Sequence, residues 1–431
     1  MKVSFLQKWV AKLTVQQKDV LLGLAILLGL AVLYYFQWAI YLTAVPDSKV
    51  DIDQPERFFW WANDSRSYQA AGDWIFGRTE SNAISYRPWL YPLLIGLART
   101  LFGTGAENVL WITQFLMWLV SGVLIYLAVH HATHSIVLSM LGAGFFYLHP
   151  SPLILTFHGM TETLNILLIS LFAWVLTTDR FNRLFVAVLL IALATVTKPI
   201  YLIYLILLVI FTLRQDTGMP RSKQAGWIAL LLLPIWIQLL LSYSVSGRFT
   251  VSTIGGYTFK NYLVADVYMY AEGTEWRPTM ALIEDWDLRQ QLDFLWQHKR
   301  GTLVTIRSHL VDANMWTGSF FTLGEGNRME GFAITINAVT SYLHLIMMPL
   351  VIYYLLASRY TENKRIIALL YSCFIIQWLT SGISTGQEDR LMMTAIPLWI
   401  VTYLLVFSAM FKQPLPPRPM VAADPLELPR P

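Results

Sequence analysis

Ten predominantly apolar runs dominate this chain, each near the roughly 20 residues, range about 17–25, that a helix needs to cross hydrocarbon. They fall at about 20–43, 108–130, 135–150, 162–178, 183–198, 199–213, 225–244, 331–357, 366–382 and 391–411. The fifth and sixth are short and separated only by Lys198-Pro199, which suits tilted or partly re-entrant helices. Only 13% of the 431 residues are charged, against about 25% in soluble domains. The expected fold is therefore an all-α polytopic membrane protein with about ten transmembrane helices, interfacial helices in the first external loop and a mostly helical external region before the last three spans. A basic N-terminal flank precedes the first run. That run is longer than the roughly 7–15-residue core of a cleaved signal peptide, so it reads as an uncleaved signal anchor.

Basic residues decide orientation, because Lys and Arg in short loops resist translocation. Lys2, Lys8, Lys12 and Lys18 place the N-terminus in the cytoplasm. An eleventh apolar stretch, 87–103, is the doubtful one. If it does not span, the cytoplasmic side also collects Arg180 and Arg183, Arg214, Arg221 and Lys223, Arg359, Lys364 and Arg365, and finally Lys412, Arg418 and Arg430. The short external turns then hold only Lys198 and Arg390. If it spans, every later loop inverts and the basic clusters face outward. The stretch opens on Arg87-Pro88 and has a second proline at Pro92. As a helix it would be about 25 Å long, short of the roughly 30 Å hydrocarbon core. It is expected to lie in the interface.

The chain then divides into a membrane module, 1–244, whose first external loop is 44–107, and an external region, 245–330. The C-terminal spans, 331–411, and a Pro-rich cytoplasmic tail, 412–431, complete it. Within 245–330, Trp286 to His309 reads as helical, with Leu288, Leu292, Leu295 and Trp296 among charged neighbours. The rest of that region reads as Gly- and Ser-punctuated loop. The tail is too rich in proline for a packed core. No internal repeat of the kind that builds inverted-repeat transporters is evident.

Several function classes drop out. A net charge of +4 is too small to imply a nucleic-acid partner. The single cysteine, Cys373, allows no intramolecular disulfide. Neither a phosphate-cradling glycine loop nor a zinc-like His/Cys spacing occurs.

What carries chemistry sits at the ends of the apolar runs. Asp64 stands at the entrance of a helical stretch in which Tyr68, Ala71 and Ile75 share its face at i+4, i+7 and i+11. Asp before such a run is also a favoured N-cap, and that reading stands beside the chemical one. Flanking Trp60 and Trp61 suggest low dielectric, which would raise the carboxyl pKa toward general-base range. Arg87 could hold a phosphate bidentately, or simply snorkel as an interfacial arginine. Glu162 opens a span, where a carboxylate is either a favourable helix N-terminal charge or a cavity group. Lys198, in Thr197-Lys198-Pro199, offers a second phosphate contact or snorkels. Arg390 either pairs with Glu388 across the last external turn or faces the same cavity. His309, within Arg307 to Asn314, is a weaker candidate, as are His158, Asp312 and Asn314.

With these residues placed, the chain resembles the GT-C superfamily of membrane glycosyltransferases, nearest to bacterial relatives of protein mannosyltransferases and of the aminoarabinose transferase acting on lipid A. Asp64-Ser65-Arg66-Ser67-Tyr68-Gln69-Ala70 is similar to the family's acidic juxtamembrane element, and Arg87-Pro88-Trp89-Leu90-Tyr91-Pro92 to its second such helix. Pro150 through Thr163-Leu164 resembles its acidic turn, Thr197-Lys198-Pro199 its basic turn, and Glu388-Asp389-Arg390 with Pro397 its closing element. The resemblance covers about residues 1–215 and the last two spans; 245–330 aligns to nothing.

The resemblance implies inverting transfer of a hexose or pentose from a polyprenyl-phosphate donor to an acceptor hydroxyl on a glycan, lipid or protein. The reaction would take place on the outer face of a bacterial cytoplasmic membrane. Asp64 would be the general base; Arg87, Lys198 and Arg390 would stabilise the departing phosphate; Glu162 would orient the acceptor or Arg87. Tyr68 and His309 would join the substrate-binding set. A single Glu162 in place of a paired-Asp motif gives a required divalent metal no support, so no cofactor is expected. Two rivals remain: another lipid-linked glycan enzyme, such as an O-antigen polymerase or ligase, and a secondary transporter. The former rests on external Arg and His; the latter places ionisable groups at mid-membrane depth.

Overall fold

The computed structural model describes residues 14–44, 59, 61, 63–178, 182–215, 219–316, 328–358, 362–384 and 390–411. Outside them lie Lys2, Lys8, Lys12, Arg180, Arg359, Lys412, Arg418 and Arg430 from the orientation argument, along with Trp60, Glu388, Asp389 and the Pro-rich tail.

The described residues form helices and connecting turns, with no strand among them. A long first helix, α1 (Val15–Ala44), leaves Leu22, Leu30, Leu33 and Ile40 exposed on one side. Such an apolar surface needs lipid or protein to cover it. Two short helices follow, α2 (Asn63–Ile75) and α3 (Leu90–Phe102), then α4 (Ala106–Thr133) and α5 (Ile136–Leu148). After His149 the chain bends through α6 (Pro150–Ile154) and re-enters as α7 (Glu162–Thr177). Helices α8 (Arg183–Thr195) and α9 (Leu202–Arg214) flank the Lys198 turn, and α10 (Arg221–Leu231) and α11 (Leu233–Ser246) form a bent pair.

Among the described residues, four helical stretches are long and apolar enough to cross a membrane, Lys18–Ile40, Leu90–Thr133, Gly331–Ala357 and Asn363–Ile383, or six if each of two bent pairs is one span. That makes the chain a multi-pass membrane protein. Four shorter apolar helices, Glu162–Thr177, Arg183–Thr195, Pro199–Arg214 and Ile396–Phe411, are the remainder of the ten expected spans. At 13 residues, α8 rises only about 20 Å. Prolines explain the breaks: Pro150, Pro199 and Pro234 each sit at the start of a helical segment, where the missing N–H costs nothing but the preceding helix cannot continue.

The doubtful stretch has its own break. Helix α3 ends at Gly103, whose φ of +53° is glycine territory, before α4 continues. Tyr91, Ile95 and Ala98 are buried while Leu97, Leu101 and Phe102 are exposed. The helix is two-sided, one face packed and the other apolar and exposed. Glycines bring α2 and α3 into backbone contact. A Cβ on Gly72 would meet the Pro92 carbonyl oxygen at 2.6 Å, and one on Gly96 the Gly72 carbonyl oxygen at 2.8 Å.

The region after α11 corrects one expectation. The stretch read as loop before Trp286 contains α12 (Ile254–Thr258), a π-helical turn (Phe259–Val264), α13 (Ala265–Glu272) and α14 (Trp276–Ile283). Leu263, Val264, Val267 and Ile283 form a small core with Leu295, and that burial overrides the Gly255-Gly256 signal. Helices α15 (Leu288–Gln297) and α16 (Lys299–Arg307) divide the expected 286–309 helix at His298, and a second π-helical turn (Ser308–Trp316) follows. Asp287 caps α15 through a reciprocal bond with Gln290. Helices α17 (Arg328–Ala357), α18 (Glu362–Ser384), α19 (Arg390–Met393) and α20 (Ile396–Phe411) complete the described chain.

Candidate active site

Five charged side chains from five separate segments meet. Asp64 is in the first turn of α2, which starts at Asn63. Its Oδ1 accepts from the Arg87 guanidinium at 3.0 Å, and its Oδ2 from both terminal nitrogens of Arg390 at 3.2 Å. Arg390, the first residue of α19, also donates through Nε to Glu162 Oε1 at 2.8 Å. Lys198 Nζ donates to the same oxygen at 3.0 Å. The order along the network is thus Arg87, Asp64, Arg390, Glu162, Lys198. Glu162 is fully buried, the Arg390 and Arg87 side chains are 6% and 13% exposed, and Asp64 keeps 38%. Asp64 is therefore the carboxylate that an incoming molecule can reach.

These positions settle several sequence readings. Asp64 holds two guanidiniums rather than acting as a simple N-cap. Glu162 orients Arg390 and Lys198 rather than Arg87. Arg390 bridges both carboxylates, while Glu388, its other suggested partner, lies outside the described residues. Tyr68 takes part: its hydroxyl accepts from Arg87 Nη1 at 3.2 Å, and the guanidinium lies 4.5 Å from its ring centroid. His309 does not join. It sits between Asp266 Oδ2, 2.8 Å from Nε2, and the Gly382 carbonyl, 3.1 Å from Nδ1, tying α13 to the end of α18. His158 is buried with Nδ1 3.0 Å from the Ile154 carbonyl. Asp312 is exposed, and the Asn314 side chain lies outside what is described.

The expected upward shift of Asp64 is overturned. Burial does push its carboxyl up, but Arg390 and Arg87 outweigh burial and hold it below its ordinary value. The tryptophan-rich surroundings were legible; the two cations were not, because they arrive from sequence positions 23 and 326 residues away.

Three buried glutamines, one in each of three apolar helices, fix the loops that bear the charges. None was singled out in the sequence. Gln114 of α4 donates to the Thr156 and His158 carbonyls at 2.9 and 2.8 Å, setting the approach to Glu162. Gln238 of α11 accepts from Trp89 N–H and donates to the Ile84 carbonyl, both at 3.0 Å, bracketing Arg87. Gln377 of α18 donates to the Leu391 carbonyl at 3.0 Å, next to Arg390. Their signal was simple: an amide inside an apolar run needs partners. Ser67, which accepts from Arg87 Nε at 2.7 Å, was also missed. The turn at Lys198 is joined to the Arg87 helix by the Leu90 N–H bond to the Val196 carbonyl, 3.2 Å.

Asp64, Tyr68, Arg87, Lys198 and Arg390 border one cavity of ≈ 430 Å³. Among the described residues, Arg87, Lys198 and Arg390 meet Asp64 and Glu162 here, and all but Asp64 are largely buried. Arginine and lysine groups gathered beside a cavity can hold an anion. Among the described residues, no group of three or more His, Cys, Asp or Glu could hold a metal ion.

No family model and no curated protein sequence matches the chain. Among solved structures it is similar to the archaeal oligosaccharyltransferase AglB from Archaeoglobus fulgidus, solved in complex with an inhibitory peptide and a dolichol-phosphate. The identity is 14% and the TM-score 0.44, over 90% of this chain and 50% of that one. The chain thus spans about half the length of that neighbour.

Proposed function

We propose that this chain is an inverting glycosyltransferase of GT-C type that moves a sugar from a polyprenyl-phosphate carrier to an acceptor hydroxyl at the outer face of a bacterial cytoplasmic membrane. The observation that carries the reading is the Asp64 carboxylate held between Arg87 and Arg390 at the edge of a cavity that Lys198 also borders. A phosphate entering that cavity meets three cationic side chains beside a reachable carboxylate.

In this mechanism the donor phosphate draws donors from Arg87, Arg390 and Lys198, competing directly with Asp64 for two guanidiniums. The freed carboxylate takes the proton of the acceptor hydroxyl. The acceptor oxygen attacks the anomeric carbon from the opposite face, and the bond from that carbon to the phosphate oxygen breaks. The bonding electrons leave on the phosphate, which the three cations stabilise as charge develops. Glu162 keeps Arg390 and Lys198 in place. The sugar arrives activated, so no nucleotide site is required. Glu162, Lys198 and Arg390 stand at helix starts or in a turn.

Membranes carrying wild type or Asp64→Asn, incubated with labelled polyprenyl-phosphate sugars, test this. Transfer is expected to fall about 10²-fold or more in the variant. Undiminished transfer sinks Asp64 as the base.

A further inference from the structure

The cavity has a second wall that the charged network does not use. It comes from α12 and the following π-helical turn, which present Tyr257, Thr258, Phe259 and Tyr262 to the same space as Arg87 and Lys198. The alternate residues Asn261, Leu263 and Val264 are buried, and the last two belong to the small core of that region. The wall is therefore backed by its own hydrophobic support. Tyr257 is 58% exposed, an uncovered aromatic ring facing a cavity rather than packing. Tyr86 lines the same cavity, with its ring centroid 5.7 Å from the Arg87 guanidinium carbon.

Resting on the glycosyl-transfer reading above, we infer that Tyr257 and Tyr262, with Tyr86 in the same cavity, form the subsite for the donor's sugar ring and set which sugar is transferred. Connectivity argues for the sugar over other occupants. A phosphate seated on Arg87 has its anomeric carbon one oxygen away, which puts the ring near Arg87 in the cavity that Tyr86, Tyr257 and Tyr262 line. The polyprenyl tail has another route, along Pro199, Ile200, Ile383 and Leu391, which belong to the apolar helices and their turns. A sugar ring offers an apolar C–H face and a rim of hydroxyls. Tyrosines with a neighbouring threonine supply both complements, a ring to stack on and hydroxyls that donate and accept. The cavity volume falls within the range of small-molecule sites, roughly 300–1,000 Å³.

The test is lipid binding by purified protein in nanodiscs, comparing bare polyprenyl phosphate with polyprenyl-phosphate hexoses and pentoses. Wild type should bind at least one sugar-bearing lipid about three- to tenfold tighter than the bare one. Tyr257→Ala, alone and with Tyr262→Ala, should bring that ratio to one while bare-lipid affinity is unchanged. Tyr257→Phe, which keeps the ring, should retain much of it. Trp296→Ala, on a side chain 80% exposed and away from the cavity, should change nothing. Equal binding of bare and sugar-bearing lipids by wild type, or a ratio that survives Tyr257→Ala, overturns the sugar wall and leaves the phosphate reading standing. No binding of either lipid by wild type removes both. Tyr257 is exposed, so its substitution does not threaten folding.

Discussion

At the scale of single residues, the site poses a contradiction that its own geometry resolves. A general base should have a pKa close to working pH, yet Arg390 and Arg87 hold the Asp64 carboxyl below its ordinary value despite burial. A depressed carboxylate contributes stability that is present above its unfolded pKa, about 3.9, and is lost only as pH falls through the lower folded value. Asp64 in the resting site therefore stays ionised between about pH 5 and 8. Once the donor phosphate engages Arg87 and Arg390, their hold on Asp64 weakens and its pKa rises. The acid limb of kcat should accordingly lie at higher pH than that of kcat/KM with respect to the donor, since the former reports the donor-bound enzyme. Coincident acid limbs in the two pH profiles would count against release of Asp64 by phosphate. All five charged positions were readable from the sequence, because charged residues at the ends of apolar runs stand out. Their pairing was not readable, because spacing carries no information about which distant loop ends face each other. His309 shows the opposite error: a histidine near the return to the membrane looks available, but Asp266 and the Gly382 carbonyl occupy it.

At the scale of elements, the site depends on contacts between backbones and on amides. Helices α2 and α3 carry Asp64 and follow Arg87 respectively, and they can touch only because Gly72 and Gly96 lack side chains at the crossing. Gly96→Val would drive a side chain into the Gly72 carbonyl and the Phe76 ring. Such overpacking costs typically about 1–3 kcal/mol, and it would spread Arg87 from Asp64. Gln238→Leu is a complementary change. It keeps the volume but leaves the buried Trp89 N–H and Ile84 carbonyl without their partner, about 1–3 kcal/mol for each such group. Both variants should melt at lower temperature in detergent and lose transfer activity. Equal melting temperatures for wild type and Gln238→Leu would show that the amide does not hold the turn. Nothing in the sequence reading singled out these glutamines, and the stretch 254–283 read there as loop. In both cases long-range packing decided the outcome over local pattern.

At the scale of the whole molecule, the question is which side of the membrane the cavity opens on. Full-length apolar helices number four, or six with the bent pairs. The proposed ten crossings require the four shorter helices to cross too, and the parity of basic residues is the argument that they do. If 87–103 stays in the interface, Lys223 is cytoplasmic, and Trp296 shares the outer face with Asp64 and the cavity mouth. If the whole chain is inserted the other way, Lys223, Trp296, Asp64 and the cavity mouth all exchange sides. Single-cysteine labelling separates the two arrangements. The native Cys373 is buried, and Cys373→Ser gives a clean background. An impermeant maleimide added to intact spheroplasts should label Trp296→Cys at once. It should reach Lys223→Cys, on a side chain that is exposed in the fold, only after the membrane is opened. The reverse pattern would place the basic loops outside, against the tendency of Lys and Arg to stay in the cytoplasm. A cavity shut off on the cytoplasmic side would then need a donor presented on that leaflet, and the outer-face transfer proposed for this chain would fall even if the Asp64 chemistry survived.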